Sequence, residues 1–184
     1  MTPPERRRIL LVSGAPGSGK TTLAEPLAQA LGLPLFSKDH IKETLMEALQ
    51  GPPGDLGFSR RIGGAAMDVL WRMAGQAPAA VLEANFRPHN AYERRQVEAL
   101  AADVVEVHCV CPPAEAARRF AARAHAGVHP AHPLQELTPA LLAEYDQPMG
   151  IGTVLRVSTT GPVDIAALAQ QIRHAWATGQ QPDR

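Results

Sequence analysis

Gly14-Ala15-Pro16-Gly17-Ser18-Gly19-Lys20-Thr21 follows the apolar run Ile9-Leu10-Leu11-Val12. The first stretch fits the pattern G-x-x-x-x-G-K-[ST] without a mismatch. Glycines allow positive φ, so successive backbone N–H groups can converge on a bound phosphate chain. The helix that follows directs its partly positive end at the same anion. The stretch therefore predicts a phosphate-binding loop between a buried strand and a helix, in preference to a glycine-rich turn without a ligand.

Two side chains of this loop have predicted roles with a nucleotide. Lys20 can reach the β- and γ-phosphates, and the hydroxyl of Thr21 is placed to ligate Mg²⁺. The predicted nucleotide-binding residues of this region are Gly14, Ala15, Pro16, Gly17, Ser18, Gly19, Lys20, Thr21 and Thr22.

Composition limits the classes of protein and partner. The 184 residues are 45% apolar, which suits one domain with a substantial core. Eighteen basic residues balance eighteen acidic ones, so the chain lacks the positive field expected of a nucleic-acid-binding surface. No signal peptide and no run of about 18 apolar residues is present, which predicts a cytoplasmic protein without a membrane partner. Cys109 and Cys111 would share one face of a strand and are interpreted as reduced core residues.

Apolar runs alternate with helical patterns along the chain, and the first run is typical of a strand buried on both faces of a parallel sheet. The fold class predicted is three-layer α/β/α with a five-stranded parallel sheet, formed by residues 1–184 as a single domain with a fraying tail at 179–184. The predicted strands are 9–12, 33–36, 79–83, 104–110 and 154–157. The predicted helices include 19–31, 40–50, 59–74, 90–101, 138–145 and 163–178.

Polar residues follow two of these strands. In open parallel sheets, ligands collect beyond the carboxyl ends of the strands, so Asp39 is placed to contact a substrate. The alternative for Asp39 is a helix N-cap. Glu83 ends the third strand, where a carboxylate often organises magnesium. Asn85 and Arg87 would share a face with Glu83 if the extended path continues.

A later helix carries Arg118, Arg119 and Arg123. Positions 119 and 123 lie one turn apart and can grip neighbouring phosphate oxygens. Residues 118–137 are predicted to form a lid that excludes water from the nucleotide. His129 and His132 could ligate a metal in principle, but no thiolate or clear third ligand accompanies them.

With these residues placed, residues 8–172 resemble the small phosphate-loop kinases, especially the AAA-type, zeta-toxin-like group that includes chloramphenicol phosphotransferase. The resemblance implies that Asp39 accepts the proton of the substrate hydroxyl. Lys42 stands where these kinases usually place an arginine. Zeta toxins have a Glu-x-Thr-x-Arg substrate element, which Glu83-Ala84-Asn85-Phe86-Arg87 resembles with Asn in place of Thr. That change points to a different acceptor.

The resemblance also assigns the nucleotide side. The lid arginines of these kinases correspond to Arg119 and Arg123, with Arg118 as an alternative for the first. The adenine lies near the loop after the fifth strand, which is 158–162 here and contains Thr160.

The expected function is transfer of the γ-phosphoryl group of ATP to a hydroxyl of a small molecule, with Mg²⁺ held by Thr21 and, through water, by Asp39 or Glu83. The expected catalytic residues are Lys20, Asp39, Arg119 and Arg123, and the expected acceptor-binding residues are Asp39, Lys42, Glu83, Asn85 and Arg87. Antibiotics, sugars and nucleosides are all open as acceptors, and the protein is expected to be a monomer or a homodimer. The alternatives are a nucleotide-sugar kinase, a nucleic-acid 5′-hydroxyl kinase, and a nucleotide switch that acts on a partner protein.

Overall fold

The computed structural model describes residues 6–125, 129–133 and 137–179. The strands are β1 (Arg7–Ser13), β2 (Leu35–Ser37), β3 (Ala79–Glu83), β4 (Ala102–Val110) and β5 (Thr153–Ser158). The helices are α1 (Lys20–Leu31), α2 (Lys38–Ala48), α3 (Leu56–Gln76), α4 (Ala91–Ala99), α5 (Pro113–His125), α6 (Pro139–Ala143) and α7 (Ile165–Thr178). Parts of the predicted lid and nearly all of the predicted tail, at 126–128, 134–136 and 180–184, lie outside the described residues.

The five strands form one sheet in the order β2-β3-β1-β4-β5, and every neighbouring pair is parallel. β1 lies at the centre, and its residues from Ile9 onward are buried. One face of the sheet packs against α3 through Leu70 and Trp71. The other face packs against α1 through Leu27 and against α7 through Ile172. The predicted three-layer α/β/α fold with a five-stranded parallel sheet is confirmed.

The register of the sheet brings three strand ends to one edge. Glu83, at the end of β3, is aligned with Val12 of β1 and with Ser37 of β2. The phosphate-loop stretch starts directly after β1, and α2 starts directly after β2. The carboxyl end of the sheet therefore gathers the loop, Glu83 and the start of α2.

The second strand begins later than predicted. Residues 33–36 were expected, but β2 starts at Leu35 because Pro34 has no N–H to donate. The carbonyl of Pro34 nevertheless accepts the N–H of Val81 at 2.9 Å. Ser37 occupies the N-cap position of α2, and Asp39 lies in the first turn. The N-cap alternative for Asp39 is therefore wrong, and its carboxylate is free of a capping role.

The third helix starts earlier than predicted. Residues 51–57 were interpreted as a loop because they are rich in glycine and proline, but α3 begins at Leu56. Asp55 caps it by accepting the N–H of Phe58 at 2.9 Å. The helix is therefore longer at its amino end than the sequence indicated.

The two cysteines occupy different settings. Cys109 is buried in β4, whereas Cys111 lies beyond the last strand residue, Val110, and is partly exposed. The prediction that both sit in the core is therefore wrong for Cys111. Both are free thiols, and burial raises the pKa of Cys109 to about 12. Across the described residues, none of the helices combines the length and apolarity needed to cross a membrane.

Candidate active site

The loop after β1 takes its shape from glycines with positive φ. Gly14 has φ of 131° and Gly17 has φ of 79°. A Cβ on Gly17 would lie 2.2 Å from the carbonyl O of Ala116 in α5, and one on Gly14 would lie 2.7 Å from the carbonyl O of Cys109. Larger residues at these two positions would therefore force the loop away from α5 and β4.

The first turn of α1 is suited to an anion. Gly19 is its N-cap, so no side chain caps the helix, and its first turn contains no acidic residue. The exposed N–H groups and the helix dipole then favour a phosphate. Lys20 is buried, with its ammonium donating to the carbonyl of Ala15 at 2.9 Å. Burial lowers the pKa of Lys20, and the nearby carboxylate of Glu83 partly opposes this shift. This donor set fits the phosphate chain of a nucleotide.

Glu83 links the loop to the end of β2. Its carboxylate is buried and accepts the Thr21 hydroxyl at 3.3 Å and the Ser37 hydroxyl at 2.6 Å. In the described part of the chain, no three His, Cys, Asp or Glu side chains are grouped to hold a metal. Mg²⁺ in phosphoryl-transfer sites commonly uses one or two carboxylates together with substrate phosphates. A hydroxyl beside one carboxylate fits that kind of site.

Asp39 faces the same cleft from the first turn of α2. Its carboxylate accepts the ammonium of Lys38 at 2.9 Å. Burial acts to raise the pKa of Asp39, but Lys38, His132 and Lys20 outweigh it and lower the pKa to about 2. Asp39 is therefore ionised at neutral pH and can accept a hydrogen bond from a hydroxyl group.

A single cleft of about 1210 Å³ runs between these elements. The sequence-predicted residues that line it are Pro16, Gly17, Gly19, Lys20, Thr21, Thr22, Asp39, Lys42, Glu83, Asn85, Arg87, Arg119, Arg123 and Thr160. Gly14, Ala15 and Ser18 are not among its lining residues. Gly14 and Ser18 are buried, and the Ser18 carbonyl accepts the hydroxyl of Thr159 at 2.6 Å. Ser18 thus ties the loop to the segment after β5.

Three arginines of α5 differ in their surroundings. Arg119 lines the cleft, donates to the Thr159 carbonyl at 3.0 Å and pairs with Glu115 at 2.7 Å. Arg123 also lines the cleft, with its guanidinium 5.6 Å from the centre of the Phe120 ring. Arg118 pairs with Glu115 at 2.8 Å, is largely exposed and does not line the cleft. The structure places Arg119 and Arg123 together, and it leaves Arg118 outside.

Asn85 and Arg87 extend the cleft beyond β3. Arg87 forms ion pairs with Glu144 at 3.4 Å and with Glu93 at 3.9 Å. Its charge is therefore already matched by carboxylates. Glu83, which was predicted to share a face with Asn85 and Arg87, also lines the cleft.

The two histidines of the predicted lid contact α2. His129 Nε2 lies 3.2 Å from Glu47 Oε1, and His132 Nε2 lies 2.9 Å from Glu43 Oε1. Burial lowers the pKa of His132, and Asp39 partly opposes the shift. The histidines thus attach residues 129–133 to α2.

Several cleft residues were not found from the sequence. Lys38 lines the cleft and donates to Asp39. Ser37 lies behind the cleft wall and donates to Glu83, so only these contacts give the two residues a role. Ser59 lies in a helix whose start was misplaced, and its hydroxyl donates to the Ala131 carbonyl at 2.9 Å. Ser59 could have been found from its spacing, because it lies one helical turn before Gly63, which also lines the cleft.

Glu106 was also not found from the sequence. It lies in β4 and contacts Ser13, the last residue of β1 before the loop. It is fully buried, and its carboxylate accepts the N–H groups of Met149 at 2.9 Å and Gly150 at 3.0 Å. It also accepts the Ser13 hydroxyl at 2.5 Å, and Ser13 lies 2.9 Å from His108 Nδ1. This network fixes the end of β1, from which the loop departs.

The sequence pattern of the AAA domain family (AAA_33) matches residues 9–148. A protein of Chloroflexus aurantiacus, described as a candidate kinase, is 30% identical in sequence. The match covers 92% of this chain and 98% of that one, with a TM-score of 0.79. No curated protein sequence matches the chain significantly.

More distant solved structures share the fold. Shikimate kinase from Acinetobacter baumannii, solved with shikimate, is 18% identical with a TM-score of 0.56, and the match covers 96% of each chain. A gluconokinase from Sinorhizobium meliloti is 17% identical with a TM-score of 0.58, and the match covers 95% of this chain and 93% of that one. The architecture is therefore that of the small P-loop kinases.

Proposed function

We propose that this chain, which belongs to the AAA domain family, transfers the γ-phosphoryl group of ATP to a hydroxyl group of a small molecule. One observation carries the proposal: the phosphate loop with Lys20 and the ionised Asp39 line the same cleft. A cleft of about 1210 Å³ has room for a nucleotide and a second small molecule. We further propose that the protein is a kinase of the group that includes zeta toxins and chloramphenicol phosphotransferase, and that it acts in the cytoplasm.

The nucleotide side is formed by the loop and by α5. When bound, ATP with Mg²⁺ supplies the phosphoryl group, and the cation offsets phosphate charge. The backbone N–H groups of 17–21 hold the phosphates, and the Thr21 hydroxyl, positioned by Glu83, is the metal-facing group. Lys20 and the two cleft arginines, Arg119 and Arg123, counter the charge of the phosphoryl group as it moves.

The acceptor side is organised by Asp39. The acceptor hydroxyl donates a hydrogen bond to its carboxylate, and the acceptor oxygen forms a bond to the γ-phosphorus. The bond between the γ-phosphorus and the β,γ-bridging oxygen breaks, ADP leaves, and the hydroxyl proton passes to Asp39. Since phosphoryl transfer passes through a loose transition state, Asp39 acts late and needs position more than basicity. A pKa of about 2 is compatible with that role.

Residues 129–133 close the acceptor side. Ala131 accepts the hydroxyl of Ser59 of α3, and the two histidines contact Glu43 and Glu47 of α2. The segment therefore joins α2 to α3 over the cleft. We propose that it excludes water, so that transfer to the acceptor exceeds hydrolysis.

The test of this function is Asp39→Asn compared with Asp103→Asn at the amino end of β4. Asp39→Asn should bind Mg·ADP as the wild type does, because Asp39 lies on the acceptor side. It should lose transfer by about 10²–10⁴-fold. Asp103→Asn, whose carboxylate pairs with the exposed Arg6, should keep both properties. Near-normal turnover of Asp39→Asn would remove Asp39 from the mechanism.

A further inference from the structure

One face of α3 forms a wall of the cleft. Its lining residues recur at intervals of three and one along the helix: Leu56, Ser59, Arg60, Gly63, Gly64 and Met67. This spacing is that of a single helical stripe. Between the apolar Leu56 and Met67, the stripe carries the polar Ser59, the charged Arg60 and two glycines.

The glycine pair leaves space beside Lys42. A Cβ on Gly63 would lie 3.7 Å from Lys42 Cε, and a Cβ on Gly64 would meet no atom within 4 Å. Glycine is disfavoured inside a helix relative to alanine. Two adjacent glycines therefore weaken α3 locally, and they keep its backbone open to a ligand at the level of Lys42.

Lys42 is a buried cation, and none of the described carboxylates lies within ion-pair distance of it. Its side chain is only 7% exposed, and its ammonium donates to Ser59 Oγ at 2.8 Å. Over the described ranges, no carboxylate forms an ion pair with Lys42 or with Arg60. By contrast, Lys38 pairs with Asp39. Buried charges are normally paired, so the buried ammonium of Lys42 marks a place for an anion. Arg60 is exposed but lines the same cleft, where its guanidinium can reach that anion.

We propose that Lys42 and Arg60, with the space left by Gly63 and Gly64, form a subsite for an anionic group of the acceptor. The acceptor then carries a carboxylate, phosphate or sulfate in the same molecule as the reacting hydroxyl. This inference rests on the proposed function and names its substrate class. Lys42 follows Asp39 by one helical turn, which separates the Cβ atoms by about 5–6 Å. The two groups of the acceptor are therefore close together in a compact molecule.

The ionisation of Lys42 supports this subsite. Burial lowers the pKa of Lys42 to about 8; Lys38 adds to the shift, while Asp39 and Glu43 oppose it. The ammonium remains mostly protonated at pH 7. A bound anion would offset the cost of burying it.

A kinetic test pairs each anionic acceptor with its neutral counterpart: gluconate with glucose, glucose 6-phosphate with glucose, and shikimate with its methyl ester. At least one anion should exceed its counterpart in kcat/KM by about 10–100-fold, as expected for one charge-assisted contact. Lys42→Met should abolish this preference, and Lys42→Arg should retain part of it. Arg72→Met, on an exposed part of α3 outside the cleft, should leave it unchanged. Equal loss for charged and neutral acceptors in Lys42→Met would overturn the subsite.

A binding test separates the subsite from the proposed function. Lys42 is labelled with an amine-reactive ester in protein saturated with Mg·ADP, which keeps test anions out of the phosphate loop, and modification is read by peptide mass spectrometry. Gluconate, glucose 6-phosphate and glucose sulfate, tested separately, should distinguish the carboxylate, phosphate and sulfate classes by protection that glucose does not give. Protection without any phosphoryl transfer would support the subsite and contradict the kinase function. Absence of protection by every anion would refute the subsite, whatever the transfer assay shows.

The glycine pair offers an independent check. Gly64→Leu places a side chain into the cleft without a backbone clash, and Gly75→Leu is its match, because a Cβ at Gly75 also meets nothing within 4 Å and Gly75 does not line the cleft. Gly64→Leu should lose anion protection of Lys42 about tenfold or more while retaining ADP binding. Gly75→Leu should retain both. Unchanged protection in Gly64→Leu would contradict the proposed location.

Discussion

The hydroxyl of Thr21 donates to Oε1 of Glu83 across 3.3 Å and so joins the phosphate loop to the end of β3. We predict that Glu83→Gln raises the Mg²⁺ concentration needed for half-maximal turnover by about 10–100-fold, the usual effect of losing a group that orients a metal ligand. The Thr21 and Ser37 hydroxyls donate to different oxygens of the Glu83 carboxylate. The glutamine amide has only one acceptor oxygen, so one of the two hydroxyls loses its partner. Titration of ATP turnover with Mg²⁺ measures the effect.

Glu98→Gln, at an exposed site of α4, is the matched control and should show the wild-type Mg²⁺ dependence. A Glu83→Gln protein with a normal Mg²⁺ midpoint would show that Glu83 only supports the loop.

Neighbouring arginines on α5 give a second prediction. Arg119 contacts the Thr159 carbonyl and lines the cleft, whereas Arg118 pairs with Glu115 on the exposed side. Arg119→Met should lower kcat by about 10²–10³-fold, the usual loss for one preorganised charge-stabilising donor. Arg118→Met should remain close to wild type in steady-state kinetics. The reverse ranking would move the phosphate-facing role to Arg118.

The dependence of acceptor KM on pH follows from Lys42. Its pKa is lowered to about 8, so its ammonium is present below pH 8 and is lost as pH rises through that value. Lys38, Asp39, Glu43, His132 and Arg60 are the other charged or titratable groups on this part of the cleft. KM for an anionic acceptor should therefore rise above pH 8, by roughly tenfold for each further pH unit.

Lys42→Arg should flatten this alkaline limb, because a guanidinium stays protonated throughout the range. The measurement is KM for an anionic acceptor from pH 6 to pH 10, for the wild type and for Lys42→Arg. An identical alkaline limb in Lys42→Arg would assign the titration to another group.

The buried Glu106 gives a prediction for stability. Glu106→Gln replaces one acceptor oxygen by an NH₂ group, so the N–H of Met149 or of Gly150 loses its partner. We expect the free energy of unfolding in urea to fall by about 1–3 kcal/mol. An exposed change such as Glu98→Gln should stay within about 0.5 kcal/mol. A stability equal to wild type would mean that this carboxylate is dispensable.

The sheet and the loop could be predicted because their signals are local. The apolar run at 9–12 and the glycine pattern after it determine a buried strand, a turn and a helix start. The prediction of a helix boundary was wrong where a capping residue determines the start of the helix. Asp55 starts α3 within a stretch whose glycines and prolines suggested a loop. Helix ends depend on such single contacts, which composition does not reveal.

The candidate site was predicted only where a motif or strand end marked it. Glu83 ends a strand, Asp39 lies just after one, and both line the cleft. The ammonium of Lys42 donates to Ser59, 17 positions away. Glu106 depends on Met149, 43 positions away, and stands inside an otherwise apolar run. Such long-range pairings have no sequence period, so only the folded chain shows them.

The most direct test of phosphoryl transfer follows the labelled γ-phosphate of ATP with Mg²⁺, across a panel of hydroxyl-bearing acids, sugars, nucleosides and antibiotics with a control lacking acceptor. ADP release should rise sharply with one acceptor class, and the label should appear on that acceptor in equal amount. Label found only as inorganic phosphate across the panel, with ATP hydrolysis stimulated by a partner protein, would contradict phosphoryl transfer to a small molecule and favour a nucleotide switch.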